Sequence, residues 1–363
     1  MSVNIELLKT KINQITDPDL GYSFEKLNYL KDIIIENQEV LIKLELIPPI
    51  EWLKDSIIEQ IKTITNEVAP EFEPKIEISE RQIPKTPRKF LKGVKHIIAV
   101  ASGKGGVGKS AVASNIAATL SLKGVKVGLI DGDIYGPSQP TIWGMKNESL
   151  PAEPAPDGGT IVYPAEKHNI KIASMGFLMK ESDAAIVRGP ILASYLQMLI
   201  EQIEWGELDF LVFDLPPGTG DIQLTLTQQT PLTGAIVITT PQEISVVDVR
   251  RSVKMFEKVK VPVLGIIENM SYFIPEDAPD KKYYIFGKGG GKRIADESKV
   301  RFLGEIPLVE RFRESNDNGL PFVLNSAAGE FSDIFNSIIS NSIQEIRRIN
   351  YDKTKSTELE ISI

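Results

Sequence analysis

Short, near-continuous apolar runs alternate with segments of helical spacing from about residue 97 onward. Apolar strands separated by helices are typical of a mostly parallel sheet that is covered by helices on both faces. The pattern therefore predicts an α/β fold. The expected strands are 97–101, 126–130, 210–213, 234–239, 262–268 and 301–304, and the expected helices are 110–122, 190–202, 243–259 and 291–297. A shorter pair of runs, 160–163 and 171–173, predicts an inserted hairpin.

The first part of the chain has a different pattern: a helix, two β-rich runs, a second helix and a last strand. This order predicts a small α+β domain. A basic segment with two prolines follows it, and such a composition is typical of a linker. We expect four regions, namely the small domain at 1–80, the linker at 81–95, the α/β domain at 96–347 and a polar tail without regular structure at 348–363.

A glycine-rich turn follows the first strand of the α/β domain and matches the phosphate-binding pattern G-x-x-x-x-G-K-[ST]. Glycines let backbone N–H groups surround phosphate oxygens without Cβ clashes, and the next helix presents its positive end to the same anion. Lys109 is expected to reach the β- and γ-phosphates, and the Ser110 hydroxyl to bind Mg²⁺. The predicted ATP-binding residues of this loop are Gly103, Lys104, Gly105, Gly106, Val107, Gly108, Lys109, Ser110 and Ala111.

Acidic residues end two further strands, at the sheet edge where open α/β folds bind ligands. Asp131 ends the first of them and is expected to face the metal. Asp133 follows it and is predicted to orient an attacking water for phosphoryl transfer. Asp214 ends the second strand, an arrangement that holds Mg²⁺ through water. The predicted metal residues are thus Ser110, Asp131 and Asp214, and the predicted catalytic residues are Lys104, Lys109 and Asp133.

Two residues near the end of the α/β domain are candidates for contacts with the adenine base. Asn269 follows the strand 263–267, where its amide is placed to read an adenine edge. Asparagine is also a common turn former, so a purely structural role remains an alternative. Pro307 is expected to close the other side of the base.

Composition narrows the function classes. The net charge of −8 and pI of about 5.2 provide no general basic field for nucleic acid. No apolar run approaches the length of a membrane span, and the first residues do not resemble a signal peptide, so cytoplasmic localisation without a membrane partner is expected. The 363 residues include no cysteine and only two histidines, which excludes disulfides, thiolate catalysis and clusters ligated by cysteines of this chain.

Several motifs together resemble the Mrp/ApbC family within the MinD/ParA-like P-loop class. They span nearly all of residues 93–345 and read GKGGVGKS, DGDIYGPSQP, VRGPIL, DLPPGTGD, IENMSYF, IFGKGGG and GEIPLVERFRESNDNGLP. Members of that family are homodimeric ATPases regarded as iron–sulfur cluster carriers. The first 80 residues resemble the small domain often fused in front of it, which is also found alone in iron–sulfur assembly factors, through the DPDLG turn at 17–21.

The resemblance implies a P-loop fold, ATP and Mg²⁺ as cofactors, a homodimer, and apo iron–sulfur acceptor or assembly proteins as partners. Lys104 would be the lysine that reaches the partner subunit's nucleotide. Lys109 and Ser110 would hold phosphate and Mg²⁺, Asp133 would orient water and Asp214 would anchor the metal. Asn269 would contact the base.

One departure from the family concerns the cluster itself. Many members carry a Cys-x-x-Cys pair shortly after the N-M-S-Y-F segment, whereas this chain has IPEDAPDKKYY there. Glu276, Asp277 and Asp280 are hard ligands that match a thiolate-bound cluster poorly, so a solvated loop is expected. An iron–sulfur cluster is thus implied by the family but lacks cysteine ligands in this chain.

An alternative function is that of a positioning or nucleotide-gated partner-binding ATPase of the MinD or ParA kind. It would require a basic amphipathic membrane helix or a basic patch for DNA. The residues after Arg348 are mixed in charge and weakly apolar, which disfavours membrane docking. Nitrogenase-like electron transfer needs cysteines and is excluded.

Overall fold

A computed structural model of the chain describes residues 4–84, 90–133, 136–155, 159–178, 195, 197–275, 277–278 and 280–361. The chain divides into two compact units. The first unit comprises residues 1–85 and 343–363, and the second comprises residues 86–342. Within the described ranges, no helix has both the length and the apolarity needed to cross a bilayer.

The first unit contains a three-stranded sheet. Its helices are α1 (Ile5–Asn13), α2 (Phe24–Leu27) and α3 (Lys54–Val68), and its strands are β1 (Leu30–Glu36), β2 (Glu39–Leu46) and β3 (Glu73–Glu80). Strand β2 lies in the middle, antiparallel to β1 and parallel to β3. Alternate residues of β2 are buried, as expected for a strand with one face on a core. The predicted order is present, with α2 as an additional short helix.

The second unit contains the large sheet. Its strands are β4 (Val94–Ser102), β5 (Val127–Asp131), β6 (Ala152–Pro154), β7 (Thr160–Val162), β8 (Ala165–Lys167), β9 (Ile170–Ser174), β10 (Leu208–Asp214), β11 (Gly234–Thr239), β12 (Val263–Phe273) and β13 (Phe302–Leu308). Its helices are α4 (Lys109–Leu122), α5 (Gln139–Ile142), α6 (Asp221–Gln229), α7 (Glu243–Lys258), α8 (Gly290–Ser298), α9 (Glu310–Asp317) and the first part of α10 (Glu330–Ile361). The predicted helix at 190–202 lies partly outside the described residues.

Eight of these strands form one sheet in the order β13-β12-β11-β4-β10-β5-β9-β8. Seven run parallel, and only β8 at the edge is antiparallel to its neighbour β9. The predicted mostly parallel sheet is therefore present. Because β4, β10 and β5 are neighbours, their carboxyl ends lie side by side, and this brings the candidate site residues together.

The predicted hairpin of 160–163 with 171–173 is wrong. Strand β7 pairs with β6 in a separate two-stranded sheet, whereas β9 joins the large sheet parallel to β5. The physical reason is burial: Ile170, Ile172 and Ala173 of β9 are fully buried, while the residues of β7 are half-buried or exposed. A short apolar run in which polar residues do not alternate regularly is more typical of a buried strand in a parallel sheet than of a strand in a surface hairpin.

The prediction of an irregular polar tail after residue 347 is also wrong. Helix α10 continues to Ile361, and residues 343–361 belong to the first unit. Its buried side chains Ile343, Ile346, Asn350 and Thr354 recur three or four residues apart, so one face of the helix packs while the other stays polar. The sequence did not indicate this buried face, because two of its residues, Asn350 and Thr354, are polar.

Candidate nucleotide-binding site

The glycine-rich loop connects β4 to α4 and adopts a backbone that requires glycine. Gly106 and Gly108 both have φ of +80°, and Gly108 is the residue that precedes the first turn of α4. Gly103 meets a neighbouring helix so closely that a Cβ there would lie 2.4 Å from the Cβ of Asp248 on α7. The loop therefore presents backbone N–H groups at a helix N-terminus, the arrangement that binds phosphate.

Lys109, the first residue of α4, contacts two of the predicted metal residues. Its side chain is only 6% exposed, and its ammonium donates a hydrogen bond to Oδ1 of Asp214. The same nitrogen lies 3.2 Å from the Ser110 hydroxyl oxygen. The structure thus brings together the lysine, the hydroxyl and the carboxylate that the sequence analysis assigned to phosphate and Mg²⁺.

The two acidic strand ends are also adjacent. Asp214 is the register partner of Asp131 across the β10–β5 pairing. Burial, and after it the charge of Asp214, raises the pKa of the Asp131 carboxyl to about 7. The Asp131 oxygens accept hydrogen bonds from the backbone N–H of Asp133 at 3.1 Å, the N–H of Gln139 at 3.1 Å and the Ser174 hydroxyl at 2.9 Å. Asp131 therefore anchors the segment that follows β5.

Asp133 is half-buried in that segment, and its carboxylate accepts a hydrogen bond from the N–H of Gly136 at 3.3 Å. Residues 134 and 135 of the same predicted run lie outside the described residues, as does the VRGPIL motif. The structure thus puts Asp133 two residues beyond the end of β5, next to the Asp131–Asp214 pair. Its role with water stays a prediction.

Gln139 joins these groups and was missed by the sequence analysis. It is fully buried, and its side-chain N–H donates to Oδ2 of Asp214 at 2.9 Å. A glutamine beside a proline carries no motif of its own. Only its place, directly after the acidic loop and at the start of α5, pointed toward the site.

The turn after β10 is hydrogen-bonded to β4, the strand that precedes the glycine-rich loop. The N–H of Gly218, whose φ is +97°, donates to the carbonyl of Ser102 at 2.9 Å. The Ser102 hydroxyl in turn donates to the carbonyl of Lys104 at 2.9 Å. The Lys104 side chain is half-buried. The described contacts therefore connect the turn after Asp214 to the start of the phosphate loop.

Asn269 lies beneath the phosphate loop. It is 2% exposed, and its side-chain N–H donates to the carbonyl of Val107 at 2.8 Å. A Cβ on Gly108 would lie 2.3 Å from the same amide nitrogen, so the loop and the asparagine fit only with glycine at this position. Buried Pro307 follows Ile306, the register partner of Asn269. Contact of Asn269 and Pro307 with adenine stays a prediction.

The segment that corresponds to the family's Cys-x-x-Cys position is closed by aromatic residues. Phe273 and Tyr283 exchange two backbone hydrogen bonds of 2.8 Å, and the rings of Tyr272 and Tyr284 meet edge to face at 6.3 Å. Asp277 and Asp280 are exposed, while Glu276 lies outside the described residues. Across the described ranges, no cluster of three or more His, Cys, Asp or Glu side chains could hold a metal ion.

A glycine loop before a helix, with its lysine against an acidic strand end of a parallel sheet, defines the class of P-loop NTPases. Comparison with known proteins narrows the class. A family model described as ParA, NUBPL iron-transfer P-loop NTPase, matches residues 93–343. The chain belongs to this family, as its resemblance to iron–sulfur cluster carriers predicted.

Some relatives are similar to this chain over more than the residues 93–343 that the family model matches. The iron–sulfur cluster carrier protein of Synechocystis is 43% identical over 321 residues, which cover 87% of this chain and 90% of that protein. The chloroplastic Fe-S cluster assembly factor HCF101 of rice is 36% identical over 360 residues, which cover 97% of this chain and 66% of that protein. The small domain is therefore included in the second similarity.

Solved structures agree with the fold. A nucleotide-binding protein from Archaeoglobus fulgidus, solved in complex with ADP, is 35% identical, has a TM-score of 0.56, and covers 64% of this chain and 89% of its own. The cell-division ATPase MinD of Pyrococcus furiosus has a TM-score of 0.50 at 18% identity and covers 69% of this chain and 98% of its own. The predicted MinD-like α/β fold is confirmed.

Proposed function

We propose that this protein binds and hydrolyses ATP with Mg²⁺ as a homodimer, and that the nucleotide controls its interaction with proteins that receive or assemble iron–sulfur clusters. The observation that carries the proposal is the contact of Lys109, at the start of α4, with Asp214, at the end of β10. The buried lysine at the phosphate loop supplies a cation for phosphate, and the aspartate at the strand end supplies a carboxylate for the metal.

The donor set suits Mg²⁺. This ion prefers oxygen ligands, one or two of them carboxylates, and keeps several of its waters. The Ser110 hydroxyl and the Asp214 carboxylate both contact the Lys109 ammonium, which supports the view that a cation is accommodated between these two oxygens. Asp131, beside Asp214, is the third oxygen source. Bound Mg²⁺ would neutralise charge on the β- and γ-phosphates as it builds up during transfer.

Lys104 and Asp133 have separate roles in this proposal. The half-buried Lys104 lies at the start of the loop, and we assign it to the phosphates of the partner subunit's nucleotide. Asp133, two residues after the end of β5, is assigned to the attacking water. Positioned charges of this kind act mainly by stabilising the transition state.

The iron–sulfur cluster is cargo in this proposal and needs ligands from elsewhere. The relatives are cluster carriers, but this chain contains no cysteine. Exposed carboxylates such as Asp277 and Asp280 are hard ligands that match such a cluster poorly. We therefore assign the sulfur ligands to a partner protein or a small thiol, and the gating of transfer to this chain.

The test of the ATPase proposal combines binding and turnover. Calorimetry with Mg-ATP should show saturable binding that EDTA weakens, and phosphate release should be slow but measurable. Asp133→Ala should keep nucleotide affinity within about threefold, because its carboxylate is not assigned to binding, while turnover falls about 100-fold or more. Glu148→Ala, at an exposed surface carboxylate, is the control and should change neither quantity.

Cluster delivery is tested separately. The protein is reconstituted anaerobically with iron, sulfide and a thiol, and transfer to an apo-acceptor is followed by absorption spectroscopy. Stimulated transfer that depends on Mg-ATP supports the proposal. A protein that takes up no cluster and fails to stimulate transfer would refute the delivery function, while Mg-dependent ATP binding would still support the ATPase.

A further inference from the structure

Gln139 is a fully buried polar residue among the groups assigned to Mg²⁺. It begins α5, directly after the loop that carries Asp133. A primary amide has two donor protons and an acceptor oxygen with two lone pairs, and leaving any of them unmet in a buried place is costly. Its amide must therefore be hydrogen-bonded to groups inside the site.

The amide is fully used. Its nitrogen donates to Oδ2 of Asp214 at 2.9 Å and to the carbonyl of Ser110 at 3.2 Å. Its oxygen accepts from the indole N–H of Trp143 at 3.1 Å and from the hydroxyl of Ser114. The side chain therefore joins the first two turns of α4, the end of β10 and the helix α5 in one network.

The effect on Asp214 is specific. Lys109 occupies Oδ1 of this carboxylate and Gln139 occupies Oδ2. The amide carries no charge, so it orients the carboxylate and leaves the neutralisation of that charge to a cation, either the Lys109 ammonium or the metal. Partners that hydrogen-bond a metal-ligating carboxylate typically change metal affinity by 10- to 100-fold when they are removed.

We infer that Gln139 is a positioning residue that sets the Mg²⁺ affinity of the nucleotide site, by holding Asp214 and Ser110 in place, and that Trp143 senses this network. The inference rests on the proposed Mg-nucleotide binding. It assigns to Gln139 no contact with the nucleotide. The influence of Gln139 on the metal passes through its hydrogen bond to Asp214.

A second glutamine provides a matched control. Gln223 on α6 is 2% exposed, in the same unit as Gln139. Within the described part of the chain, neither atom of its amide has a hydrogen-bond partner. Gln139→Leu and Gln223→Leu thus make the same chemical change at two equally buried places, and only the first removes a contact with Asp214.

The experiment measures the affinity for ADP by calorimetry on the full-length protein, once in EDTA and once in excess Mg²⁺. The ratio of the two dissociation constants is the gain in affinity due to magnesium. Gln139→Leu should lower this gain about 10-fold or more. The affinity in EDTA should stay within about twofold of wild type, because the amide is not assigned to the phosphates. Gln223→Leu should leave both values unchanged.

Two further measurements guard against a folding defect. Ser114→Ala keeps the glutamine and removes the hydroxyl that contacts both the glutamine oxygen and the carbonyl of Ser110, so it should lower the magnesium gain about threefold. The emission of Trp143, obtained as the difference between wild type and Trp143→Phe, should change when Mg-ADP is added. This change should be absent in Gln139→Leu.

The outcomes separate the inference from the function on which it rests. A wild-type protein without any magnesium gain removes the proposed Mg-nucleotide function. A wild-type gain that Gln139→Leu retains in full overturns the inference alone. If Gln139→Leu fails to fold, an unchanged gain in Ser114→Ala overturns it instead.

Discussion

Among the described residues, each unit contains a buried ion pair, and the two pairs differ in how completely their polar atoms are hydrogen-bonded. In the first unit, the side chains of Arg347 and Asp17 are both fully buried. In the second, Lys109 is 6% exposed and Asp214 fully buried. Burial of charge costs free energy in both places. Hydrogen bonds offset this cost in a structural pair, whereas a site that binds a ligand can retain it for its function.

Arg347 is compensated completely. Its Nε donates to the carbonyl of Ile47 at 3.0 Å, and its Nη1 donates to Asp17 at 2.9 Å and Asp19 at 2.7 Å. Its Nη2 donates to Asp17 at 2.6 Å and to the hydroxyl of Tyr29 at 3.1 Å. All five guanidinium protons have partners. Burial by itself would lower the pKa of Arg347, but the charge and hydrogen bonds of Asp17 outweigh it and raise that pKa.

Lys109 is compensated less rigidly. An ammonium is a compact charge on a flexible stem, whereas a guanidinium is a fixed fork. Lys109 follows the exposed Gly105 and Gly106 of the phosphate loop, and Gln139 already holds the other oxygen of Asp214. An arginine with all its protons hydrogen-bonded therefore stabilises a fold, while a lysine at an open loop can exchange its carboxylate for a ligand.

The largest effect is expected from breaking the arginine pair. Arg347→Ala leaves the buried Asp17 without its cation, which typically costs about 3–5 kcal/mol of stability. The loss should appear in the first unit as faster amide hydrogen exchange across residues 5–80, measured by mass spectrometry. Nucleotide affinity should stay within about twofold, since no contact of Arg347 reaches the phosphate loop among the described residues.

The neighbouring arginine supplies the control for this variant. Arg348 is exposed on the same helix. Arg348→Ala should therefore change the exchange free energy by less than about 0.5 kcal/mol. Equal protection in Arg347→Ala and wild type would contradict the view that this fork fixes the fold of the first unit.

Breaking the lysine pair should have a different readout. Lys109→Ala removes the cation assigned to the phosphates, and we expect Mg-ATP affinity to fall about 100-fold, equivalent to about 2.7 kcal/mol. Hydrogen exchange in residues 5–80 should be unchanged. Calorimetry measures the affinity, and phosphate release measures the accompanying loss of turnover.

Lys123→Ala serves as the control here, because Lys123 is exposed at the other end of α4. It should keep wild-type affinity. Normal turnover in Lys109→Ala would defeat the assignment of this lysine, and would leave its contact with Asp214 as a purely structural pair.

The sequence assigned the two residues of one pair, Lys109 and Asp214, to a common site, but it gave no indication of the other pair, for a physical reason. Lys109 and Asp214 each lie in a short motif whose backbone geometry is specified locally, by glycines before a helix and by an apolar strand before an acid. Arg347 and Asp17 are 330 residues apart, and neither has a local pattern that names the other. The DPDLG turn carries a family resemblance, but nothing in it indicates an arginine partner.

The same distinction between local patterns and distant contacts explains which other features could be predicted from the sequence. The parallel sheet could be predicted because its strands contain nearly continuous apolar runs, such as 97–101 in β4 and 234–238 in β11. The end of α10 was missed because its buried face includes Asn350 and Thr354, whose burial depends on what they contact. Gln139 was missed likewise, since a buried amide is recognised only through its partners.

The smallest effect is expected at the rim of the arginine pair. Asp19 accepts a hydrogen bond from Nη1 of Arg347 at 2.7 Å, but its side chain is 13% exposed, so water also reaches it. Asp19→Asn keeps an oxygen that can accept the same bond and removes a charge that repels Asp17. These two effects oppose the lost attraction, and we expect a net cost of about 1 kcal/mol in the exchange free energy of the first unit.

Asp17→Asn is the matched comparison, two residues away and fully buried. It should cost several times more than Asp19→Asn, because Asp17 is bound through both of its oxygens to the guanidinium. Equal costs at the two positions would mean that total charge, and not the bidentate geometry, stabilises the cluster. The arginine would then act as a point charge, and its contrast with Lys109 would lie only in its surroundings.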